Sequence, residues 1–214
     1  MENFEGIIFD IDGTLTSTNE LIFAAFNHVT EKYLNRKYTP EELIALFGPT
    51  EEQIILELTG DSFPDARKDY FEFYNEHHSA LADLYPGIKN ILKDLKAKEM
   101  PLGIFTGKGR QAAEITLRLL DIFDIFDLIV TGDDVENHKP APEGILKFTS
   151  QFGLNKDRVL LIGDAPADII AARAAGIKIA SVVWDSYARE EVINAGSDYI
   201  FYSVGELKNF TDKL

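Results

Sequence analysis

The segment Gly6-Ile7-Ile8-Phe9-Asp10-Ile11-Asp12-Gly13-Thr14-Leu15 starts as a short apolar run and ends on two carboxylates spaced two residues apart. A run of this kind, entered through a glycine-containing turn, reads as a β-strand buried on both faces. Asp10 and Asp12 then stand at the carboxyl end of that strand, where open α/β sheets bind their ligands. Two plainer readings compete: an Asp-rich turn that caps backbone groups, and part of a calcium loop. A calcium loop needs further oxygen ligands at alternate positions between flanking helices, whereas Thr14 and Thr16 here follow an apolar strand.

Four similar apolar runs follow much later, at 102–105, 128–130, 159–162 and 179–183, and a run at 199–201 offers a sixth strand. Each is separated from the next by a stretch long enough for a helix. Buried strands alternating with helices imply right-handed crossovers, hence a mostly parallel sheet covered by helices on both faces. Between Thr16 and about Leu84 the pattern changes. Thr39-Pro40-Glu41-Glu42 supplies an N-cap, a first-turn proline and a capping-box acid, Thr50-Glu51-Glu52-Gln53 repeats the device, and Gly60 sits where a C-terminal cap belongs. Phe23, Phe26, Val29 and Tyr33 share helical spacing, as do Ile54, Ile55 and Leu58. The expected architecture is therefore an α/β core made of 1–15 and 85–214, interrupted by an all-helical segment at 16–84. Hinges are expected at 16–18 and 83–87, where Tyr85-Pro86-Gly87 marks the return to the core. Ser17 with Glu20 reads as a capping box for the first inserted helix.

A chain of 214 residues, 45% hydrophobic, is long enough for one domain carrying an insertion. Its net charge of −15, with no Lys/Arg stripe against that background, argues against nucleic acid and anionic membrane as partners. Any anionic ligand needs a locally positive site. With no cysteine, neither a disulfide nor a thiolate metal site exists, so a metal must be held by oxygen or imidazole. There is no basic N-terminal region leading into an apolar stretch, and no run approaches the roughly 18 apolar residues of a membrane span, so a cytoplasmic protein is expected. His28, His77, His78 and His138 lack ligand spacing beyond one adjacent pair and read as solvated or locally bonded side chains.

Three more motifs stand at the ends of later strands. They are Ile104-Phe105-Thr106-Gly107-Lys108, His138-Lys139-Pro140-Ala141-Pro142 and Gly163-Asp164-Ala165-Pro166-Ala167-Asp168. With the Asp10 segment they resemble, in order, the four signatures of the haloacid dehalogenase superfamily, and the resemblance covers essentially the whole chain. The helical segment is similar to the cap of the subgroup that contains phosphoglycolate phosphatase and β-phosphoglucomutase. The resemblance implies a Rossmann-like, three-layer α/β/α core with an inserted helical cap, and a Mg²⁺-dependent phosphatase acting on a small phosphorylated metabolite as a monomer or homodimer.

By the same resemblance Asp10 is the nucleophile that becomes phosphorylated, and Asp12 is the general acid and base. Thr106, the amides of Gly107 and Lys108, and Lys139 bind the phosphoryl group. Asp10, Asp164 and the backbone carbonyl of Asp12 hold the metal, while Asp168 orients the metal's waters or Lys139, or simply favours the helix N-terminus it stands on. Lys108 and Arg110 precede a helix whose macrodipole they oppose, a penalty that a bound anion offsets; for Arg110 the solvated reading is preferred. Dehalogenases of the family lack an acid at the position of Asp12, and phosphonate-cleaving members replace it, so this chain reads as a phosphatase. The loop Phe47-Gly48-Pro49-Thr50-Glu51 resembles the subgroup's specificity loop, which makes Gly48, Pro49 and Thr50 candidate substrate contacts; turn chemistry alone makes it a plain interhelical turn equally well.

Three positions depart from the subgroup: Gly107 where many members have Asn, Ser17 where many have Asp, and Asp185 after Trp184 where Gly is common. Asp185 adds negative charge near the site rim. Phosphoglycolate is the leading substrate, with pyrophosphate or a sugar phosphate behind it. A phosphomutase is the alternative, disfavoured because the family's mutases tend toward Val or Ile after the glycine of the first motif and carry a cationic phosphate clamp in the cap. A non-catalytic binding module comes last.

Overall fold

A computed structural model describes residues 3–214. Along the chain the first strand β1 (Gly6–Phe9) is followed by β2 (Thr16–Ser17), then by four helices: α1 (Asn19–Leu34), α2 (Pro40–Ile44), α3 (Glu51–Thr59) and α4 (Phe63–Leu81). The chain returns through β3 (Asp83–Leu84) to α5 (Ile88–Ala97), β4 (Leu102–Phe105), α6 (Arg110–Leu119) and β5 (Leu128–Val130). The remainder alternates: α7 (Glu143–Phe152), β6 (Val159–Gly163), α8 (Pro166–Ala175), β7 (Lys178–Val182), α9 (Arg189–Ala195), β8 (Tyr199–Phe201) and α10 (Val204–Thr211).

Six strands pair in parallel in the order β5-β4-β1-β6-β7-β8. The α/β fold expected from the alternating apolar runs is the one observed, and the run at 199–201 does complete the sheet. Residues of β1, β4 and β6 are buried throughout, as strands covered on both faces must be. On one face α5, α6 and α10 bring Ile91, Leu95, Leu117 and Leu207 onto Ile7 and Phe9. On the other, α7, α8 and α9 bring Ile145, Phe148, Ile169 and Val192 onto Ile8 and Leu161. Each fully buried side chain of this size stabilises by roughly 1.5–3 kcal/mol relative to exposure. Gly144 lets α7 close onto β4, because a Cβ there would stand 2.2 Å from the Phe105 ring.

The chain leaves β1 toward β4 and β5 on one side and toward β6, β7 and β8 on the other. Loops leaving the carboxyl ends of β1, β4 and β6 therefore diverge and open a crevice. Above it sit α1 to α4, joined to the rest by the antiparallel pair β2 and β3, in which Thr16 faces Leu84 and Ser17 faces Asp83. These helices enclose their own apolar cluster, with Phe26, Val29, Ile54, Tyr70 and Tyr74 almost fully buried. Ala112 of α6 belongs to the same cluster, so α6 is the ledge on which α4 rests. Among the described residues no helix is long and apolar enough to cross a membrane.

Several local expectations are corrected. Strand β6 runs at 159–163, one residue longer than expected, and β7 at 178–182, one residue earlier at both ends. The Ser17–Glu20 capping box does not form: Ser17 is in β2, Thr18 occupies the cap position, and its hydroxyl donates to Asp12 instead of capping α1. The Thr39 box is complete, but at Thr50 only half is made. There the Thr50 amide donates to Gln53 Oε1 at 3.0 Å while the Thr50 hydroxyl is buried without a partner. His78, expected to be solvated or locally bonded, is fully buried and pairs with Thr116 Oγ1 at 3.2 Å, bridging α4 to α6.

Candidate active site

The turn after β1 is locked against the loop after β6. The Asp10 amide donates to Ile162 O at 2.9 Å, and the Thr14 hydroxyl donates to Asp164 Oδ1 at 3.1 Å. Gly13 takes φ +76°, and a Cβ there would lie 2.3 Å from Asp164 Oδ2. No other residue fits this close approach without displacing the carboxylate. Asp10 and Asp164 are thereby held on facing strand ends.

Lys139, from the loop after β5, reaches across to both acidic motifs. Its Nζ lies 3.3 Å from Asp10 Oδ1 and donates to Asp168 Oδ1 at 2.6 Å. The second oxygen of Asp168 accepts the Ala165 amide at 3.1 Å, so this carboxylate both steadies Lys139 and caps α8. Carboxylate oxygens of Asp10, Asp164 and Asp168 lie within 4.8 Å of one another. Burial is the main cause that raises Asp10 to about 6, with Lys139 pulling it down and the charges of Asp168 and Asp12 adding to the rise. Burial likewise pushes Asp164 well above the usual carboxylate range, helped by Asp10 and Asp168. One lysine does not offset three gathered carboxylates. An all-oxygen set under this electrostatic load suits a hard divalent cation such as Mg²⁺, and Asp168, already bonded twice, is the least available of the three.

A second ion-pair group lies a short distance away. Lys108 Nζ, its side chain 1% exposed, donates to both oxygens of Asp12 at 2.9 and 3.2 Å and stands 3.5 Å from Glu51 of α3. Glu51 also accepts the Gly109 amide at 2.6 Å. Burial disfavours the Lys108 charge, but Asp12, then Tyr74 and Glu51, hold its pKa well above the ordinary lysine value. For Glu51 burial dominates and raises the carboxyl, with Lys108 opposing. Asp12 is also bonded by the hydroxyl of Thr18, which ties it to the end of β2.

These groups open onto a cavity of about 240 Å³ between the sheet and the inserted helices. Of the residues singled out by sequence, Asp10, Asp12, Thr106, Gly107, Lys108, Lys139, Asp164 and Asp168 all line it, as do Gly48 and Pro49. Thr50 does not; it is buried beside the cavity, its methyl group close to Gly132. The Thr106 hydroxyl accepts the Lys108 amide at 3.3 Å. Asp185 accepts a hydrogen bond from the Tyr85 hydroxyl and is not among the residues lining the cavity. Sequence reasoning missed Glu51, Asn19 and Tyr187, which also line the cavity. Glu51 was hidden because an acid in a helix's first turn has an ordinary explanation. Nothing in the local sequence marks the other two.

The pattern of the haloacid dehalogenase-like hydrolases matches residues 7–182. The pyrophosphatase PpaX of Bacillus cereus is 31% identical over 201 residues, 94% of this chain and 93% of that protein. Two solved structures superpose closely. A Haemophilus somnus chain provisionally described as a phosphoglycolate phosphatase gives a TM-score of 0.86 at 23% identity, covering 97% of this chain and 98% of the other. A Thermotoga maritima chain provisionally described as a β-phosphoglucomutase gives 0.79 at 29% identity, covering 99% and 100%.

Proposed function

Because this chain belongs to the haloacid dehalogenase-like hydrolase family and is a phosphatase within it, we propose that it hydrolyses a small phosphorylated metabolite through an aspartyl phosphate on Asp10. The convergence of Asp10, Thr106, Lys139 and Asp164 on one cavity, from loops after four different strands, is the observation that supports this reading.

In the first half-reaction a carboxylate oxygen of Asp10 attacks phosphorus and the bond to the leaving oxygen breaks. Lys139 favours the ionised nucleophile and offers its ammonium to the phosphoryl oxygens. The Thr106 hydroxyl and the amides of Gly107 and Lys108 donate to those oxygens as charge spreads over them. Asp12 gives its proton to the leaving oxygen. In the second half-reaction Asp12 takes a proton from the water that attacks the aspartyl phosphorus, which frees Asp10 and inorganic phosphate. Asp10, Asp164 and the backbone carbonyl of Asp12 would hold a Mg²⁺ ion, which would supply the positive charge that lets a carboxylate approach an anionic phosphate. Residues 16–84 act as a lid hinged at β2 and β3 over the core of 1–15 and 85–214, shielding the aspartyl phosphate from bulk water.

Among the described residues lining the cavity, α1 to α4 and their loops contribute no lysine or arginine. A mutase must re-bind an intermediate with two phosphates, so this wall supports hydrolysis. Cleavage of inorganic pyrophosphate is the second reading, favoured by the name of the 31% identical Bacillus cereus relative. A phosphate-release screen over small phosphate esters with Mg²⁺ tests the proposal. Wild-type protein releases phosphate and Asp10→Asn does not; equal release by both would end the aspartyl-phosphate reading.

A further inference from the structure

The end of the cavity away from Asp10 has an unusual charge balance. Of the described lining residues the cations are Lys108 and Lys139, against Asp10, Asp12, Glu51, Asp164 and Asp168, with no arginine or histidine. Both lysines are engaged. Lys139 lies between Asp10 and Asp168, and Lys108 lies between Asp12 and Glu51. The phosphoryl group takes Lys139 and the amides beside Thr106, so the leaving group is left with Lys108, whose charge is already matched by Glu51, beside the proton-donating Asp12. The rest of that end is apolar, formed by Ile22, Phe26, Phe47, Ile54 and the ring of Tyr187, with Asn19 as its one carboxamide.

Glu51 cannot readily turn away. One carboxylate oxygen holds the Gly109 amide at 2.6 Å, the other faces Lys108, and the residue is 7% exposed. A leaving group with its own carboxylate or second phosphate would lose hydration, gain no unengaged cation and face a fixed like charge across a short, poorly screened distance.

We propose that Glu51 is a specificity-determining residue, whose fixed carboxylate restricts the enzyme to phosphate monoesters of uncharged alcohols and rejects esters whose leaving group carries a second anion. The inference rests on the phosphatase reading and narrows it. It argues against phosphoglycolate, pyrophosphate and bisphosphates as substrates, all of which have anionic leaving groups, and so sets the pyrophosphate reading aside. The alcohol's carbon skeleton packs on Phe26, Phe47 and Ile54, and the Asn19 carboxamide meets a hydroxyl.

The test compares esters matched in skeleton: hydroxyethyl phosphate with phosphoglycolate, and glycerol phosphate with phosphoglycerate. For each, kcat/KM is measured with wild type, Glu51→Gln and Glu51→Asp. Because each ratio is taken within one preparation, partial loss of folded protein cancels. Wild type favours the neutral member of each pair by on the order of 10- to 100-fold, as expected for two like charges several ångströms apart at an effective dielectric near 20. Glu51→Gln lowers that ratio at least about tenfold, and Glu51→Asp retains most of it. Equal or better turnover of the anionic member by wild type, or an unchanged ratio in Glu51→Gln, overturns the proposal and leaves phosphatase activity standing. Absence of phosphate release from every ester would instead remove the reading on which it rests.

Discussion

Replacing Lys108 by Met should destabilise the protein even without substrate. The Met side chain keeps most of the hydrophobic stem, and with it the packing against Tyr74, over whose ring Lys108 Nζ sits at 5.2 Å. What is lost is the one cation that, among the described residues, touches Asp12 and Glu51, whose side chains are 24% and 8% exposed. Removing one partner of a buried ion pair costs about 3–5 kcal/mol, and the partial exposure of Asp12 places the expectation at about 3 kcal/mol. Urea unfolding followed through Trp184 fluorescence measures it. Adding Glu51→Gln to Lys108→Met should restore at least about 1 kcal/mol, because one orphaned charge is then gone. The pH dependence has a definite sign. Glu51 already titrates above its ordinary value, chiefly through burial, and losing Lys108 raises it further. A carboxyl raised in the folded state holds more protons folded than unfolded, so its penalty is full above the folded value and fades as pH falls toward the unfolded one. The deficit of Lys108→Met therefore shrinks as pH falls toward the ordinary carboxylate range. A variant as stable as wild type at neutral pH, or a double variant no better than the single one, would refute the ion-pair account.

Three further outcomes follow from the site. Mg²⁺ at about 100 times its dissociation constant should stabilise the protein by about 2.7 kcal/mol at neutral pH, with a smaller gain near pH 5, where protons compete for Asp10, raised to about 6; thermal unfolding with and without the ion checks this. Gly13→Ala should cut kcat by at least about tenfold, because a Cβ 2.3 Å from Asp164 Oδ2 forces that carboxylate away; steady-state phosphate release measures it, and an undiminished kcat would mean the close approach is irrelevant. Asp12→Asn should slow turnover by about 10²- to 10⁴-fold while still allowing Asp10 to accept a phosphoryl group from an activated donor whose leaving group needs no proton.

The sequence carried the sheet because its strands are buried on both faces and so appear as unbroken apolar runs, bounded by the residues that turn the chain. Asp10, Thr106, Lys139 and Asp164 were legible for a related reason: each follows a strand end that parallel pairing brings to the same edge of the sheet. Position in the chain then stands in for position in space. Contacts between the inserted helices and the core had no such proxy. His78 reaching Thr116 and Glu51 reaching Lys108 join residues 38 and 57 positions apart, and no local periodicity encodes such a distance. Thr18 illustrates the competition within one residue. It stands where a helix cap would use its hydroxyl, yet that hydroxyl goes to Asp12, because a charged acceptor forms the stronger hydrogen bond. The box at Thr50 shows the same limit: the tetrad was read correctly as a helix start, but the Thr50 hydroxyl is buried without a hydrogen-bond partner while its methyl group lies close to Gly132.

Chemical trapping of the phosphorylated carboxylate tests the account's core most directly. Enzyme quenched during turnover with Mg²⁺ and a competent ester, then reduced with borohydride, should yield homoserine at position 10 on peptide sequencing, and none when Asp10→Asn is treated alike. Trapped label at another residue, or steady turnover with no trapped residue and direct transfer of phosphate to water, would contradict it.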